Sequence, residues 1–224
     1  MGSVAALRRG LARTSWVQRA LFSGFLLALA WTGWHTSGLG SRVGKDLLLY
    51  LAAPAALAAL HGKHLGWRVD RTALRNTVLL ALFVLPFYLV GSSLPSVREF
   101  YPMWGATKET YLVHSVQQFL VVVAAETYYR GLLCVGVRDI GRKAAFISPV
   151  IYAFHHLGKP PIELVLSGPT DVLFGLVDYE SNSILPSVVA HGLGLALLDW
   201  LGMHDPLLPP EAVVRALSWL PVPL

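Results

Sequence analysis

Long apolar segments separated by short basic stretches are the feature that most constrains how this chain folds. Of its 224 residues, 54% are hydrophobic and only 14% are charged, whereas a soluble domain carries about 25% charged residues. Seven segments are apolar enough to enter a bilayer: 20–34, 46–61, 76–94, 111–137, 144–157, 162–177 and 184–201. Several are shorter than the roughly 20 residues of an ideal span, so some must begin in their flanks or be partly re-entrant. We therefore predict an all-α fold, a polytopic transmembrane helical bundle with about seven or eight spans.

The first apolar segment has two interpretations. Four arginines precede or begin it: Arg8, Arg9, Arg13 and Arg19. The small residues Ala28 and Ala30 resemble a signal-peptide cleavage site, but further spans follow, so we interpret the segment as a first anchor. Basic residues also gather in 63–75 and 138–143. The positive-inside rule then places these loops and the amino terminus in the cytoplasm.

Charge and cysteine content exclude several classes of function. The net charge is +5, but the positive residues lie at segment ends, a pattern that suits phospholipid headgroups better than nucleic acid. We therefore expect the lipid bilayer as a partner and no nucleic acid. The single cysteine, Cys134, excludes an internal disulfide and a Cys-based zinc site, and we interpret it as an inert small hydrophobe.

The first of three polar clusters is the heptapeptide AETYYRG at residues 125–131, which places Glu126 and Arg130 inside an apolar segment. An ionisable side chain at bilayer depth costs about 2.5–3.5 kcal/mol on insertion scales, so it is rarely there by accident. The two residues are four apart with the acid first, which is the favourable order for a helical ion pair. They either neutralise each other, or Arg130 holds Glu126 or another acid in position for chemistry.

The second cluster combines His155, His156 and Glu163. The histidines point about 100° apart on a helix, so only one of them can face a given site. The sequence Lys-Pro-Pro at 159–161 must end the helix and leaves His156 in its last turn. His156 either bonds to a backbone carbonyl at the interface or faces the site. Glu163 either complements the amino terminus of the next helix or supports the site.

The third cluster places His191 and Asp199 on one face of a helix. A histidine among valines and leucines needs a partner in lipid, and that partner is either a neighbouring helix or a reactive site. Asp199 either supports the site or is a terminal acid at the membrane surface. Together, Glu126, His156 and His191 provide one carboxylate and two imidazoles from three helices.

Such a set can activate water in two ways. The histidines can hold a divalent metal such as zinc, with Glu126 as base or third ligand. Alternatively, Glu126 is the base, and the imidazoles orient water and stabilise an oxyanion. The HExxH signature of soluble zinc peptidases is absent, which favours the version without metal.

The order of these clusters resembles the CPBP family of intramembrane proteases, which includes CAAX-prenyl endopeptidases and bacterial Abi proteins. That family carries Glu-Glu-x-x-x-Arg, Phe-x-x-x-His and His-x-x-x-Asn, or a small residue in place of the Asn, on separate transmembrane helices. The corresponding sequences here are AETYYR at 125–130, YAFHH at 152–156 and HGLGL at 191–195. SILP at 183–186 and FGL at 174–176 also match the family's context. The resemblance covers about residues 110–202 and implies a catalytic core at 111–202, less specific transmembrane helices at 1–110, and a tail at 203–224 with a short interfacial helix.

The resemblance implies an intramembrane endopeptidase of the bacterial inner (plasma) membrane that acts on a membrane-anchored or lipid-modified protein tail. It assigns catalytic roles to Glu126, Arg130, His156 and His191, with Glu163, Asp199, Tyr129 and Tyr152 as supporting residues. His156 and His191 would be the ligands if a metal is bound.

Two departures from the family pattern leave other functions open. Ala125 replaces the first glutamate of the pair, which is the family's principal base, and Leu195 replaces the asparagine. Glu126 must assume the role of the base, Glu163 or Asp199 must replace it, or the protein is a catalytically silent binding or immunity protein. A proton-coupled transporter also needs buried acids and histidines, but the absence of an internal repeat and the small size argue against it.

Overall fold

The computed structural model describes residues 14–224, and all regular secondary structure in this part of the chain is helical. Within residues 14–224, nine helices follow one another: α1 (Trp16–Gly33), α2 (Leu39–Leu60), α3 (Arg71–Gly91), α4 (Pro95–Phe100), α5 (Tyr111–Leu132), α6 (Pro149–His155), α7 (Pro161–Ser181), α8 (Leu185–Gly202) and α9 (Pro210–Leu217). A short 3₁₀ turn lies at Met103–Gly105, and an irregular 3₁₀ segment covers Val135–Phe146. The all-α prediction is confirmed for these residues. Arg8, Arg9 and Arg13 lie outside the described residues.

Among the helices of the described part of the chain, three are long and apolar enough to cross a membrane, namely α2, α3 and α8. A fourth span results if α5 and the 3₁₀ segment, which meet at an angle of 77°, are counted as one broken span. Length and composition of the described helices thus support three or four spans, and the predicted seven or eight are not confirmed. The outer face of α3 is apolar and exposed, with Phe83 and Phe87 more than half accessible, as expected for a surface in contact with lipid.

Three predicted segments differ from the helices observed. Segment 144–157 contains only the seven-residue helix α6, because residues 144–146 still belong to the 3₁₀ segment and Pro149 begins the helix. Segment 162–177 extends to Ser181 as α7, which carries four acids and is not among the candidate spans. The tail helix is α9, and its location at the membrane interface stays a prediction.

Local sequence explains where several helices begin and end. Ser15 and Gln18 form a reciprocal capping box at α1, and the Asp70 side chain accepts a hydrogen bond from the Ala73 amide at the start of α3. Such caps satisfy amides that have no partner within the helix. Proline occupies the first turn of α4, α6, α7, α8 and α9, where its missing N–H costs nothing. Asn182 ends α7 in the left-handed conformation, with φ of 48°.

Two glycines on α8 let neighbouring helices come close to it. A Cβ atom at Gly192 would lie 2.5 Å from the Phe119 ring on α5, and one at Gly194 would overlap the Tyr88 ring on α3. Helix α8 packs against both of these helices and against α7. Small residues thus bring α3 and α5 against α8 on either side of His191, the histidine predicted to belong to the site.

Candidate active site

The AETYYRG motif lies where α5 changes from an α-helix to a π-helix. The helix is α-helical through Glu126 and continues as a π-helix over Thr127–Leu132. All six π-helical residues are buried. Gly131 lets the backbone of α5 pass close to Leu65, since an added Cβ would lie only 3.0 Å from the Leu65 carbonyl oxygen. Single π-turns within α-helices occur frequently at functional sites.

Arg130 lies between two carboxylates. Its Nε atom is 3.0 Å from Oε2 of Glu126, and its Nη1 atom is 2.8 Å from Oδ1 of Asp171 on α7. None of the three side chains is exposed. Ser148 donates a hydrogen bond of 2.5 Å to the other oxygen of Asp171. The buried charges therefore compensate one another and join α5 to α7.

His191 on α8 contacts the other oxygen of Glu126. Its Nδ1 atom lies 2.6 Å from Oε1, so both oxygens of the Glu126 carboxylate have a partner. When Nδ1 carries the proton and donates it to Glu126, Nε2 is the ring atom that remains for other interactions. Glu126, Arg130 and His191, three of the four predicted catalytic residues, are thus in direct contact.

His156 lies beside a different carboxylate. Its Nδ1 atom is 2.8 Å from the Tyr152 carbonyl oxygen, and its Nε2 atom is 3.9 Å from Oε1 of Glu163. The Tyr101 hydroxyl lies 3.0 and 2.9 Å from the two oxygens of Glu163, and the Lys159 ammonium is 2.8 Å from Oε1. The backbone contact expected of an interfacial histidine is therefore present, but the free nitrogen faces an acid.

Tyr152 connects the two histidine clusters. The centroid of its ring lies 4.2 Å from the centroid of the His156 ring. The same centroid lies 4.9 Å from the guanidinium carbon of Arg130. The two acid–histidine pairs are therefore neighbours, although no direct bond joins them.

Tyr129 and His155 face away from these pairs toward the first two helices. The Tyr129 hydroxyl bonds to Nδ1 of His155. The same ring nitrogen is 3.4 Å from the Tyr50 hydroxyl, and the Trp31 ring is 4.2 Å from the His155 ring. Tyr129 also packs edge-on against Tyr152 at 5.1 Å. This arrangement is typical of aromatic helix packing, in which each polar atom has a partner.

Asp199 is buried rather than at the surface. Its Oδ2 atom is 2.9 Å from Nε2 of His114 and also bonds to the Gln118 amide, and its Oδ1 atom accepts a hydrogen bond of 3.1 Å from the Met103 amide. It anchors α8 to α5 and to the turn before α5. Leu195, one turn earlier on α8, packs in an apolar cluster with Leu94 and Ile162.

Two buried acids were missed by the sequence analysis. Asp171 pairs with Arg130, and Asp178 accepts hydrogen bonds of 2.5 Å from the Ser187 hydroxyl and 3.2 Å from the Ser187 amide. Asp171 lies within the apolar segment 162–177 and Asp178 immediately follows it. The criterion that identified Glu126, an ionisable residue in an apolar segment, would have found Asp171 as well.

The donor set does not match a metal site. Within residues 14–224, no three His, Cys, Asp or Glu side chains are arranged to hold a metal ion. His156 and His191 each pair with a separate carboxylate. We therefore derive no step through a metal. Cys134 is buried, and its thiol contacts the Gly175 carbonyl oxygen at 3.3 Å, as expected for a residue that only packs.

The fold and the site together define an all-helical membrane protein with buried acid–histidine pairs. Residues 108–196, less than half of the chain, match the family model described as type II CAAX prenyl endopeptidase Rce1-like. This match supports the CPBP family of CAAX-type proteases, and the resemblance predicted from the motifs is confirmed. Comparison with the curated proteins gave no match, and neither did comparison with solved structures.

Proposed function

We propose that this protein is an intramembrane endopeptidase that hydrolyses a peptide bond near the membrane-anchored or carboxy-terminal tail of a substrate protein. The observation that carries the proposal is the contact of 2.6 Å between Glu126 and His191, which come from different helices. Burying an acid–histidine pair in an apolar environment costs free energy, so the presence of such a pair indicates that it serves a purpose. The family match over residues 108–196 supports hydrolysis as that purpose.

His191 has the role of stabilising the tetrahedral intermediate. Glu126 accepts the proton of Nδ1 and thereby fixes the ring, so Nε2 can act on the developing charge at the substrate carbonyl. Arg130 in turn fixes Glu126 through the ion pair of 3.0 Å. Glu126 is fully buried and both of its oxygens have partners. We therefore assign it to positioning His191, whereas the sequence pattern predicts it as the base.

The substrate that fits this setting is a protein anchored to the bilayer, by a lipid modification or by a transmembrane end, because the site lies among apolar helices. The plasma membrane of a bacterium, an amino terminus in the cytoplasm and seven or eight spans remain part of the proposal. Clusters of Lys and Arg at 63–75 and 138–143 support the orientation. Fusions of a reporter enzyme after α2, α3 and α8 would test this orientation. A reporter that is active only in the periplasm shows activity when the helix end to which it is fused lies outside the cytoplasm.

Cleavage in proteoliposomes tests the function directly. The probe is an internally quenched, farnesylated peptide ending in a CAAX sequence, presented to the full chain in liposomes. We expect cleavage by the wild type and a loss of about 10²–10³-fold in His191→Ala, which lacks the oxyanion contact. His204→Ala is the matched control, because His204 is only partly buried and lies beyond the end of α8, where its ring contacts the Trp200 carbonyl oxygen. Equal rates for both variants would contradict the role of His191.

A catalytically silent binding protein is the second candidate, and Ala125 is the observation that favours it. A wild type that leaves the farnesylated peptide and a panel of transmembrane-anchored peptides intact would support that candidate and contradict the endopeptidase.

A further inference from the structure

Two carboxylates lie beside histidines in this protein, and they differ in how accessible they are. The Glu126 side chain has no exposed surface, and its two oxygens contact Arg130 and His191. The Glu163 side chain is 26% exposed, and the His156 side chain facing it is 14% exposed. The Glu163 carboxylate therefore reaches the protein surface, whereas the Glu126 carboxylate is enclosed and only its partner His191 is partly exposed. The pair that activates water must be accessible to water.

The hydrogen bonds of His156 determine which atom faces Glu163. Nδ1 is 2.8 Å from a backbone carbonyl oxygen, which only accepts hydrogen bonds, so Nδ1 carries the proton in the neutral ring. Nε2 then has a lone pair, and it lies 3.9 Å from a carboxylate oxygen, which is also an acceptor. Two acceptors at this distance do not bond to each other. A water molecule that donates one hydrogen to each satisfies both and keeps its own lone pairs for an electrophile.

The surroundings of Glu163 fix the position of its carboxylate. Tyr101 donates a hydrogen bond to the carboxylate and Lys159 forms an ion pair of 2.8 Å with it. Glu163 also lies in the first turn of α7, where the helix dipole favours a negative charge. These contacts fix the orientation of the carboxylate beside Nε2 of His156.

We propose that His156 and Glu163 activate the attacking water in this protein, taking the role that the family gives to the acid replaced by Ala125. This inference rests on the proposed peptidase function. The water oxygen forms a bond to the carbonyl carbon of the substrate, and one water proton passes to Nε2 of His156. The imidazolium then forms an ion pair with Glu163 across the gap of 3.9 Å, which stabilises the step. His156 returns the proton to the leaving nitrogen as the C–N bond breaks, giving a carboxylic acid and an amine; the acid then passes its remaining proton to the amine, which leaves a carboxylate and an ammonium.

Glu163→Gln tests the assignment, because it keeps the size of the side chain and removes its charge. We expect kcat for the farnesylated peptide to fall about 10²–10⁴-fold, the range typical of acid–base groups, while KM changes by less than about twofold. Glu180→Gln on the same helix is the matched control, because Glu180 is exposed and pairs only with Arg142. We expect Glu180→Gln to match the wild type.

The outcomes separate this inference from the function on which it rests. If the wild type cleaves and Glu163→Gln cleaves at the wild-type rate, the assignment is wrong and the peptidase function stands. If the wild type does not cleave any anchored peptide, the function itself fails. Glu163→Asp and the melting temperature of each variant in detergent exclude a folding defect. If Glu163→Asp folds normally and recovers part of the kcat lost in Glu163→Gln, the result supports a role for the negative charge. If Glu163→Asp has a wild-type melting temperature but is as inactive as Glu163→Gln, the result contradicts that role.

Discussion

The imidazole of His191 and the carboxylate of Glu126 meet at 2.6 Å, although 65 residues separate them in the chain. The contact joins α8 to α5 at the point where α5 becomes a π-helix. Because Arg130 and Asp171 extend the same network to α7, three helices are joined through Glu126, Arg130 and Asp171, whose side chains have no exposed surface. The stability of the bundle and the geometry of the site therefore depend on the same side chains.

Replacing Glu126 tests this double role. Glu126→Gln leaves Arg130 with Asp171 as its only carboxylate and removes the charged partner of His191. We expect the free energy of unfolding to fall by up to about 3–5 kcal/mol, the cost of breaking a buried ion pair, and cleavage to fall as well. Chemical or thermal unfolding in detergent micelles measures the first effect. Glu180→Gln, which breaks an exposed pair, should cost less than about 1 kcal/mol; equal stability of the two variants would refute the prediction.

Asp171 should be as important as Glu126, although it belongs to no motif. Asp171→Asn removes the second carboxylate of Arg130 and weakens the bond from Ser148. Because both acids share Arg130, we expect the double variant Glu126→Gln/Asp171→Asn to deviate from the sum of the single effects by about 0.5–3 kcal/mol. Unfolding of the four proteins of this cycle measures the coupling. Additive effects would mean that the two acids act independently.

Gly194 should tolerate no side chain. A Cβ atom at this position overlaps the ring of Tyr88, so Tyr88 or α3 must move. We expect Gly194→Ala to lower the free energy of unfolding by about 1–3 kcal/mol, as for other overpacked sites. Gly44→Ala is the control, because a Cβ at Gly44 meets nothing within 4 Å. That change should stabilise α2 by about 0.5–1 kcal/mol through the higher helix propensity of alanine.

Asp70 provides a test outside the membrane-spanning helices. The Ala73 amide donates a hydrogen bond to this carboxylate at the start of α3, which holds the pKa of Asp70 below its usual value. A group whose pKa is lowered on folding stabilises the fold above its unfolded pKa, near 3.9, and loses that effect as the pH falls through the folded value. We therefore expect Asp70→Ala to lower the melting temperature at pH 6 and to have less effect below pH 3. An equal loss at both pH values would show that the charge is irrelevant.

The sequence predicted the helical fold and the polar clusters because both follow from local patterns. Apolar segments and prolines give the approximate positions of the helices, and a charged residue in such a segment marks Glu126 and Arg130. The π-helix at Thr127–Leu132 and the bend after it have no comparable local signal. The shortness of α6 follows from Pro149 and the 3₁₀ segment before it, which apolar composition alone does not predict.

The pairing of acids with histidines depends on packing between helices and was harder to predict. The sequence analysis grouped Glu126, His156 and His191 as one set. In the structure, Glu126 pairs with His191, whereas His156 lies beside Glu163. Small residues such as Gly192 and Gly194 allow particular helices to pack closely. A single sequence does not show which helices those glycines will contact. Asp199 was placed at the surface or in the site, and its partner His114 lies 85 residues away.

The two acids buried in α7 have a consequence for how the protein is made. Asp171 and Asp178 are neutralised or hydrogen-bonded only by residues of other parts of the chain: Arg130, Ser148 and Ser187. Inserting a helix into the bilayer costs about 2.5–3.5 kcal/mol for each carboxylate near its centre that has no partner. Burial of α7 in an apolar environment therefore depends on Arg130 of α5 and Ser187 of α8, so these three helices rely on one another for assembly.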